Sequence, residues 1–344
     1  MKAVVIDHFV ERYDEVQVFE VPVPNPQEDE ILIQVKAAGV NFVDTLYARG
    51  KHQNNRRHVK PAFTLGLEFS GIVLSSPASS AFKPGDRVFG DYSGSYAEYI
   101  TVSSKSSLHR IPSGWTFKDA AGLAATLPVS YGALEQCDKF RKGENVLVHA
   151  AAGGLGLAAV QIAKAAGCRV IGTAGSEYKC RVAERYGADA CINYQTEAEW
   201  WGKVLRLTEG KGADVVFDSV GLVDRSLKCL AHRGCILVVG FAGREGDMEG
   251  VKANRILLKQ ARIIGYRFGE TCRRYPEEKD QIWKELYQMI KKGTLRPTVF
   301  EKEYKGLQSV PEALADIASR KVWGKAVIQV DTGPTNEQNV AAKL

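Results

Sequence analysis

The stretch VLVHAAAGGLGLAAVQIAKAAG, residues 146–167, decides the fold of this chain. Its first three residues are aliphatic, as in parallel strands that are buried on both faces. Gly153, Gly154 and Gly156 follow, and residues without a Cβ allow a sharp turn and the close approach of a ligand. The stretch therefore predicts a buried strand, a glycine turn and a helix, in that order.

The predicted helix begins near Gly154, where its free N–H groups and the positive end of its dipole favour a diphosphate. Apolar side chains fall on one stripe of this helix at helical spacing: Leu155, Ala159, Ile162 and Ala166. Gly167 is a typical helix-ending residue. The glycines alone would also fit an ordinary tight turn. The order of strand, turn, helix and second strand instead indicates a dinucleotide site.

The second strand, Arg169–Thr173, ends in small residues instead of an acid. Sites that prefer NAD usually place Asp or Glu there to accept hydrogen bonds from the ribose hydroxyls. Ser176 can donate to a 2′-phosphate and Lys179 can neutralise it, so the segment favours NADPH. Glu177 is the counter-argument, although acids are favoured in any first helical turn. Lys179 would equally suit a solvated helix surface.

Alternating strands and helices continue from about Ala125. Apolar runs predict strands near 146–150, 169–173, 190–192, 214–218, 235–239 and 262–266. Strands joined by helical crossovers form a doubly wound parallel sheet, the Rossmann fold. A further helix is predicted near Lys279–Lys292. The α/β pattern predicts a dinucleotide-binding Rossmann domain over residues 125–297.

The first part of the chain is rich in short strands separated by Pro- and Gly-containing breaks. The predicted strands are Lys2–Ile6, Val16–Val21, Ile31–Ala37, Gly71–Leu74, Asp86–Gly90 and Tyr96–Val102. Strand character returns at Val299–Tyr304 and Lys325–Val330. These patterns predict a β-rich, partly open barrel over residues 1–124 and 298–344, in which residues 331–344 form a flexible polar tail.

Composition is that of a soluble globular protein, with 45% hydrophobic and 25% charged residues. The seven cysteines are scattered without a Cys-x-x-Cys pair, as expected of free thiols in a reducing compartment. The formal charge of +6 is dispersed. The basic run Lys51–Lys60 lacks interleaved aromatic residues and is interpreted as a solvated loop, so no nucleic acid partner is expected. No apolar stretch reaches transmembrane length, so no membrane partner is expected.

The two ends of the sequence bear on its location. The chain starts directly with a predicted strand, so no signal or transit peptide is expected and the cytoplasm is the predicted location. The last three residues, Ala342–Leu344, are similar to the peroxisomal address Ser-Lys-Leu, with Ala for Ser. Three residues also match by chance. A peroxisomal address in a eukaryote and a fortuitous match therefore both stay open.

Short motifs along nearly the whole chain point to one family. They are AGVNFVD (38–44), GLEFSG (66–71), FKPGDRVF (82–89), GSYAE (94–98), AAAGGLG (150–156), GTAGS (172–176), VVGFA (238–242) and GK (324–325). Together they resemble the medium-chain dehydrogenase/reductase superfamily, and within it the zeta-crystallin-like quinone oxidoreductase branch. The resemblance implies a GroES-like substrate domain beside the Rossmann domain. It also implies a homodimer, for which strand edges near Ile263–Arg267 could pair.

The resemblance carries cofactor contacts over to matching positions. Those of the pyrophosphate turn are Gly153, Gly154, Leu155 and Gly156. Those of the adenosine-phosphate pocket are Gly175, Ser176, Lys179 and Tyr194. Those near the nicotinamide end are Ser219, Val220, Gly240, Phe241 and Ala242, with Tyr266, Arg267 and Phe268 at the next strand end. Asn41 and Asp44 lie where the family contacts cofactor and substrate.

No metal is expected, because the zinc-dependent relatives place a thiolate ligand where this chain has Asn41. They also have Gly-His-Glu where it reads Gly66-Leu67-Glu68. An amide and a leucine cannot replace thiolate and imidazole ligands. The closely spaced cysteines of the relatives' structural zinc lobe are absent from the sequence as well.

Two departures from the branch change the substrate end. Leu46 stands where branch members have Tyr, although Tyr47 follows at once. Val129, beside Ser130, stands where they have a nicotinamide-side Thr. The substrate can therefore not be copied from a relative.

The expected function is a zinc-independent, NADPH-dependent reduction of quinones or α,β-unsaturated carbonyls by hydride transfer. These acceptors need no metal, because hydride adds to a conjugated carbon and the charge spreads to an oxygen. The candidate catalytic residues are Asn41, Asp44, Tyr47, Tyr131 and Arg267, and each would equally suit cofactor binding or packing. An enoyl-thioester reductase is the alternative enzyme. A non-catalytic NADPH-binding protein, like crystallin or RNA-binding relatives of the branch, is the alternative of another class.

Overall fold

The computed structural model of the protein describes residues 1–56, 58–137, 140–244 and 248–330. The chain forms two compact units. The first unit comprises Met1–Ala125 together with the segment from Pro297 onward, and the second unit is Thr126–Arg296. The first unit is therefore discontinuous in sequence, with the whole second unit inserted between its two segments.

The elements are numbered along the chain. Those up to residue 125 are β1 Lys2–Ile6, β2 Gln17–Glu20, β3 Glu30–Val40, α1 Phe42–Ala48, β4 Phe63–Thr64, β5 Glu68–Ser75, β6 Arg87–Asp91, β7 Tyr99–Ser103, β8 Leu108–Arg110 and α2 Phe117–Ala120. The second unit contains α3 Leu127–Glu135, β9 Asn145–Val148, α4 Gly154–Ala165, β10 Arg169–Ala174, α5 Glu177–Arg185, β11 Ala190–Asn193, α6 Trp200–Leu207, β12 Ala213–Asp218, α7 Val223–Ser226, β13 Leu230–Val238, α8 Ala253–Lys259, β14 Arg262–Gly265, α9 Phe268–Arg274 and α10 Pro276–Lys291. The last elements are β15 Tyr304–Lys305, α11 Val310–Ala318 and β16 Ala326–Gln329.

The first unit is organised around its longest strand, β3. This strand pairs with β5, β7 and β16, in a sheet of order β15-β16-β3-β5-β6-β8. A smaller sheet has the order β2-β1-β4. Ile31, Leu32 and Ile33 on β3 are all fully buried, which explains why this strand reads as an apolar run instead of an alternation. The predicted β-rich, GroES-like domain is confirmed.

The second unit contains a parallel sheet of order β11-β10-β9-β12-β13-β14. This is the doubly wound order, in which the first strand of the unit, β9, lies at the middle of the sheet. Val146–Val148 on β9 are completely buried, as their aliphatic character predicts. The predicted Rossmann fold is therefore confirmed.

The predicted strand Val299–Tyr304 is wrong for most of its length. Val299 forms only an isolated bridge with Lys325, and regular pairing resumes at β15. Between these points Lys302 forms ion pairs with Glu312 and Asp316. Charged side chains interrupt the apolar alternation there, and these contacts with α11 take the place of a continuous ladder.

The predicted apolar stripe on α4 is too narrow. Leu157, Ala158 and Val160, which lie off that stripe, are as buried as Ile162, whereas Leu155 is half-buried. Helix α4 packs on the sheet and also against α3. A helix covered on several sides needs no polar face, and its many alanines allow this close packing.

In the described parts of the chain, no helix combines the length and the apolar character that a membrane crossing requires.

Candidate functional site

The glycine turn of the second unit follows β9 directly. Ala150 has a φ of 48°, and the N–H of Gly153 donates to the Ala150 carbonyl over 2.8 Å. Gly153 is the N-cap residue of α4. A Cβ on Gly156 would lie 2.1 Å from the Ala150 oxygen, so this position accepts no side chain. The predicted turn residues, including Leu155 in the first turn of α4, therefore lie together at a tightly closed helix N-terminus.

Two buried polar residues that the sequence analysis missed lie at the ends of β9 and β12. His149 is fully buried, and its Nδ1 and Nε2 lie 2.9 Å from Thr173 Oγ1 and Ser226 Oγ, respectively. Burial lowers the pKa of His149, so the ring is held neutral. The side chain thus ties the end of β9 to β10 and α7. Asp218, also buried, is the second such residue.

Asp218 shapes the loop that follows β12. Its carboxylate accepts hydrogen bonds from the backbone N–H groups of Val220, Gly221 and Leu222 over 2.6–2.8 Å. The sequence did contain a signal for Asp218, because it is a polar residue at the carboxyl end of the apolar strand β12. Ligands of doubly wound sheets bind at that end of the strands.

The predicted nicotinamide-end residues lie on two loops that are hydrogen-bonded to each other. The N–H of Ala242 donates to Ser219 over 3.1 Å, and Gly243 N–H donates to Val220 over 3.1 Å. A Cβ on Gly240 would lie 3.2 Å from the Ser219 carbonyl oxygen. Phe241 is exposed on this loop pair. Ser219, Val220, Gly240, Phe241 and Ala242 are therefore brought together.

The predicted adenosine-phosphate residues meet at the end of β10. Ser176 is the N-cap residue of α5, and its Oγ accepts a hydrogen bond from the Lys179 N–H over 3.2 Å. A Cβ on Gly175 would lie 2.6 Å from the Tyr194 hydroxyl, so this phenol covers the glycine. Glu177 lies in the first turn of α5, as predicted, and its carboxylate accepts from Asn193 Nδ2 over 3.0 Å. Lys179, in the same helix, is half-buried.

Tyr131 and Tyr266 lie on the α10 side of α3. Tyr131 lines a cavity of about 360 Å³ between α3 and α10 with Glu135 and Glu285. Burial and these carboxylates raise the pKa of Tyr131 to about 12, which makes it a poor proton donor. A Cβ on Gly132 would lie 2.0 Å from the Tyr266 hydroxyl, so Tyr266 also faces α3. On the same helix, the Ser130 hydroxyl donates to the Leu155 carbonyl over 2.9 Å.

Arg267 and Phe268 lie at the start of α9, after the edge strand β14. Arg267 is exposed and forms a loose ion pair with Glu270 over 3.9 Å. Phe268 is half-buried. Arg267, a candidate catalytic residue, therefore lies on the surface of the second unit.

The first unit gathers a charged cluster around Asn41. Asn41 Oδ1 accepts a hydrogen bond from Lys325 Nζ over 2.6 Å, and Asn41 Nδ2 donates to Glu68 Oε1 over 2.9 Å. Lys325 also forms an ion pair with the same Glu68 oxygen. Glu68 Oε2 accepts from the Ala125 N–H over 2.9 Å. Glu68 is 0% and Lys325 3% exposed, whereas Asn41 is half-buried, so Asn41 is the member nearest the surface.

Asp44 and Tyr96 form a second buried pair beside this cluster. Asp44 Oδ2 accepts from Tyr96 OH over 2.6 Å and from the Asn41 N–H over 2.8 Å, which caps α1. Asp44 Oδ1 is buried and has no hydrogen-bond partner among the described residues. Burial raises the pKa of Asp44 to about 7, from an ordinary value of 3.8. Burial and the Asp44 contact also raise the pKa of Tyr96 well above its usual range.

Tyr47, one turn further along α1, points to a different environment. Its hydroxyl accepts from Asn54 Nδ2 over 2.8 Å, and its ring centroid lies 4.4 Å from that of His52. Tyr47 also packs against the apolar core of the first unit. Asn41 and Asp44 are therefore brought together, with Glu68, Tyr96 and Lys325 as partners that the sequence analysis did not assign.

Comparison with known proteins assigns the family. An "Alcohol dehydrogenase GroES-like domain" matches residues 27–113, and a "Zinc-binding dehydrogenase" domain matches residues 154–291. Quinone oxidoreductase-like protein 2 from Bos taurus is 36% identical over 331 residues, covering 91% of this chain and 89% of that protein. The chain belongs to the quinone oxidoreductase branch of the medium-chain dehydrogenase/reductase superfamily. The predicted family is confirmed.

Solved structures of this oxidoreductase family share the fold. Quinone oxidoreductase from Escherichia coli, in complex with NADPH, has a TM-score of 0.81 and 28% identity, covering 96% of this chain and 100% of that one. CurK enoyl reductase has a TM-score of 0.84 and 25% identity, covering 96% and 99%.

The residues present do not fit the zinc ion for which the matched dehydrogenase domain is named. Among the described residues, no group of three or more His, Cys, Asp or Glu side chains could hold a metal. Asn41 offers an amide and not a thiolate, and its amide oxygen already accepts a hydrogen bond from the Lys325 ammonium. The same ammonium takes the Glu68 oxygen that could otherwise approach a cation. A divalent cation bound by Asn41 or Glu68 would be repelled by the positive charge of the Lys325 ammonium, which contacts both side chains.

Proposed function

We propose that the chain is an NADPH-dependent reductase of quinones or α,β-unsaturated carbonyls that works without zinc. The observation that carries the proposal is the closed glycine turn at Gly156, combined with Ser176 and Lys179 where an acid would select NAD. The Escherichia coli quinone oxidoreductase was solved in complex with NADPH, which supports the choice of cofactor.

The residues of the second unit would bind and orient the cofactor. The N-terminus of α4 offers backbone N–H groups to a diphosphate. Ser176 Oγ and the Lys179 ammonium suit a 2′-phosphate, and the loops held by Asp218 suit the nicotinamide ribose and carboxamide. When bound, NADPH supplies the hydride.

The residues of the first unit would receive the acceptor. Hydride addition to a quinone or enone leaves negative charge on an oxygen, which a preorganised donor stabilises. Asn41 is the half-buried member of its cluster and is the favoured donor. Asp44 is buried behind it and is proposed to support α1 instead of meeting the substrate.

A change of charge at Lys179 tests the cofactor. Lys179→Glu is expected to weaken NADPH binding by about 10- to 100-fold and to leave NADH binding nearly unchanged, because only NADPH carries the 2′-phosphate. Lys211→Glu, an exposed lysine of the same unit, is the matched control. Equal losses for both cofactors, measured by titration of cofactor fluorescence, would contradict the assignment.

An acceptor scan tests the reaction. NADPH oxidation is followed with ortho-quinones, para-quinones, enones and enoyl-thioesters. The similarity to CurK enoyl reductase favours enoyl-thioester reduction as the second candidate, and turnover of enoyl-thioesters alone would select it. Tight NADPH binding without turnover of any acceptor would select the non-catalytic alternative.

A homodimer is proposed from the edge of the parallel sheet. Among the described strands, β14 stands at one end of the sheet order, the position at which a strand of a second copy could extend the sheet. Leu257 and Leu258 on the preceding helix α8 are 77% and 74% exposed, and Ile263 on β14 is 37% exposed. Leu258→Asp is expected to halve the mass measured by light scattering.

The cellular location of the protein stays a prediction, with the cytoplasm and the peroxisome as the two alternatives. Ala342–Leu344 lie outside the described residues. A fluorescent protein that carries the last ten residues of the chain, compared with one that lacks the final three, tests the address. Peroxisomal puncta only with the tripeptide would support it.

A further inference from the structure

The cluster around Asn41 contains a carboxylate and an ammonium that are both almost completely buried. Glu68 is 0% and Lys325 3% exposed. Burying charges is costly unless they are paired and hydrogen-bonded, and a stable core of this size could use apolar residues instead. Because the Glu68–Lys325 pair also binds the half-buried amide of Asn41, its expected role lies in what it does to that amide.

The pair dictates which way the Asn41 amide faces. An ammonium can only donate, so it must meet the amide oxygen, and a carboxylate can only accept, so it must meet the amide nitrogen. The contacts agree: Lys325 donates to Oδ1 over 2.6 Å, and Nδ2 donates to Glu68 over 2.9 Å. The reversed amide would place two donors, and two acceptors, against each other.

One amide hydrogen of Asn41 is only weakly held. The second contact of Nδ2, to the Gly39 carbonyl, is 3.5 Å long, which is near the limit for a hydrogen bond. Asn41 is also the only half-buried member of the trio. A ligand oxygen that approaches Asn41 would therefore meet an oriented N–H donor.

The Glu68 and Lys325 side chains occupy space that is open only because two neighbouring residues are glycines. A Cβ on Gly39 would lie 2.5 Å from Glu68 Oε1, and one on Gly122 would lie 2.9 Å from Lys325 Cγ. Both charged side chains thus lie against backbone, with no room for larger neighbours. The pair is built into the first unit and is not a chance contact between flexible surface residues.

We propose that Lys325 and Glu68 are positioning residues, which hold the Asn41 amide with its nitrogen edge available to the oxygen of the acceptor. This inference rests on the proposed reductase function. Neither charged residue touches the acceptor. They act through Asn41, to which Lys325 donates and from which Glu68 accepts.

The test uses a neutral pair, Glu68→Gln with Lys325→Met, because either change alone leaves a buried charge without its partner. In this variant nothing forces the orientation of the Asn41 amide. We expect kcat with the best acceptor to fall about 10- to 100-fold, with little change in the Kd for NADPH. Lys302→Met, which removes a lysine paired with Asp316 in the same unit, is the control and should keep the kcat of the unchanged protein.

A double-mutant cycle separates positioning from general structural damage. Asn41→Ala is expected to lower kcat by a similar factor, and adding the neutral pair to Asn41→Ala should lower it no further. If the effects of Asn41→Ala and the neutral pair multiply, or if the neutral pair keeps full kcat, the proposal is overturned.

A spectroscopic measurement keeps the test independent of turnover. With ¹⁵N-labelled asparagine, the side-chain NH₂ signals of Asn41 are identified by their loss in Asn41→Ala. They should exchange slowly with water in the unchanged protein and quickly in the neutral pair. Equal exchange in both would overturn the positioning role. Absence of NADPH oxidation by the unchanged protein would instead overturn the proposed function alone.

Discussion

The glycine turn of the second unit and the Asn41 cluster of the first unit would offer a ligand different kinds of hydrogen-bond donor. At the turn the donors are backbone N–H groups, and side chains are excluded because Gly156 lies against the Ala150 carbonyl. At the cluster the donors are side chains, held by the buried charges of Glu68 and Lys325. The turn is built from neighbouring residues, whereas Lys325 and Asn41 are 284 positions apart.

This difference decides how each region fails. A backbone site depends on space, so an added methyl group damages it whatever its polarity. A buried charged cluster depends on pairing, so loss of one partner damages it even when the volume is kept. Changes of volume at the turn and changes of charge at the cluster therefore test the contrast.

The largest effect is expected at the cluster. Lys325→Met keeps most of the side-chain volume but leaves Glu68 buried without its counter-ion, and should lower the free energy of unfolding by about 3–5 kcal/mol. Adding Glu68→Gln should recover most of this loss. Urea unfolding followed by circular dichroism measures both. A Lys325→Met protein as stable as the unchanged one would contradict the contrast.

The next effect is expected at the turn. In Gly156→Ala the new Cβ would lie 2.1 Å from the Ala150 carbonyl oxygen, so the backbone must shift. We expect a loss of about 3 kcal/mol in the free energy of unfolding and a weaker Kd for NADPH. Gly250→Ala, where a Cβ meets nothing within 4 Å, is the control. Equal Kd values for the two variants would show that the turn tolerates a side chain.

A pH-dependent effect of similar size is expected at Asp44. The pKa of this carboxyl is about 7 in the folded protein and 3.8 ordinarily, so the folded state binds the proton more tightly. Its contribution to stability therefore falls as the pH rises from about 4 to 7. Between pH 5 and pH 8 the protein should lose about 2–3 kcal/mol relative to Asp44→Asn, which keeps the acceptor oxygen. The measurement is the urea midpoint of both proteins at both pH values. If both midpoints change by the same amount between pH 5 and pH 8, the interpretation is wrong.

The smallest effect is expected at the N-cap of α5. Ser176→Ala removes the oxygen that accepts from the Lys179 N–H and should cost about 1 kcal/mol of stability. Ser176→Asp keeps the cap but should repel the 2′-phosphate, so its stability should stay while NADPH affinity falls. Thermal unfolding and cofactor titration separate the two. An NADPH affinity unchanged in Ser176→Asp would place the phosphate elsewhere.

The turn could be predicted from sequence because all of its determinants are local. Residues 146–167 contain the strand, the glycines and the helix in order, and the fold followed from repetition of that pattern. The same local logic did not reveal His149, since one histidine in an apolar run gives no signal of its partners Thr173 and Ser226. It was wrong for Val299–Tyr304, where ion pairs of Lys302 replace strand pairing.

The cluster could be predicted only in part. Asn41 and Asp44 were assigned from a motif, and Glu68, Tyr96 and Lys325 each lie within quoted motifs. Their association is tertiary, because β3, β5 and β16 bring distant segments into one sheet. Nothing in the sequence spacing indicates that an ammonium and a carboxylate would both be buried against one amide.

The split of the first unit has a consequence for synthesis on the ribosome. Glu68 emerges long before Lys325, and the whole second unit, Thr126–Arg296, is made in between. At about 5–20 residues per second, roughly 15–50 s pass before the counter-ion of Glu68 exists. The continuous second unit can complete its core during this interval, whereas the first unit cannot. The half that would bind the cofactor can therefore be finished on the ribosome before the half that would receive the acceptor.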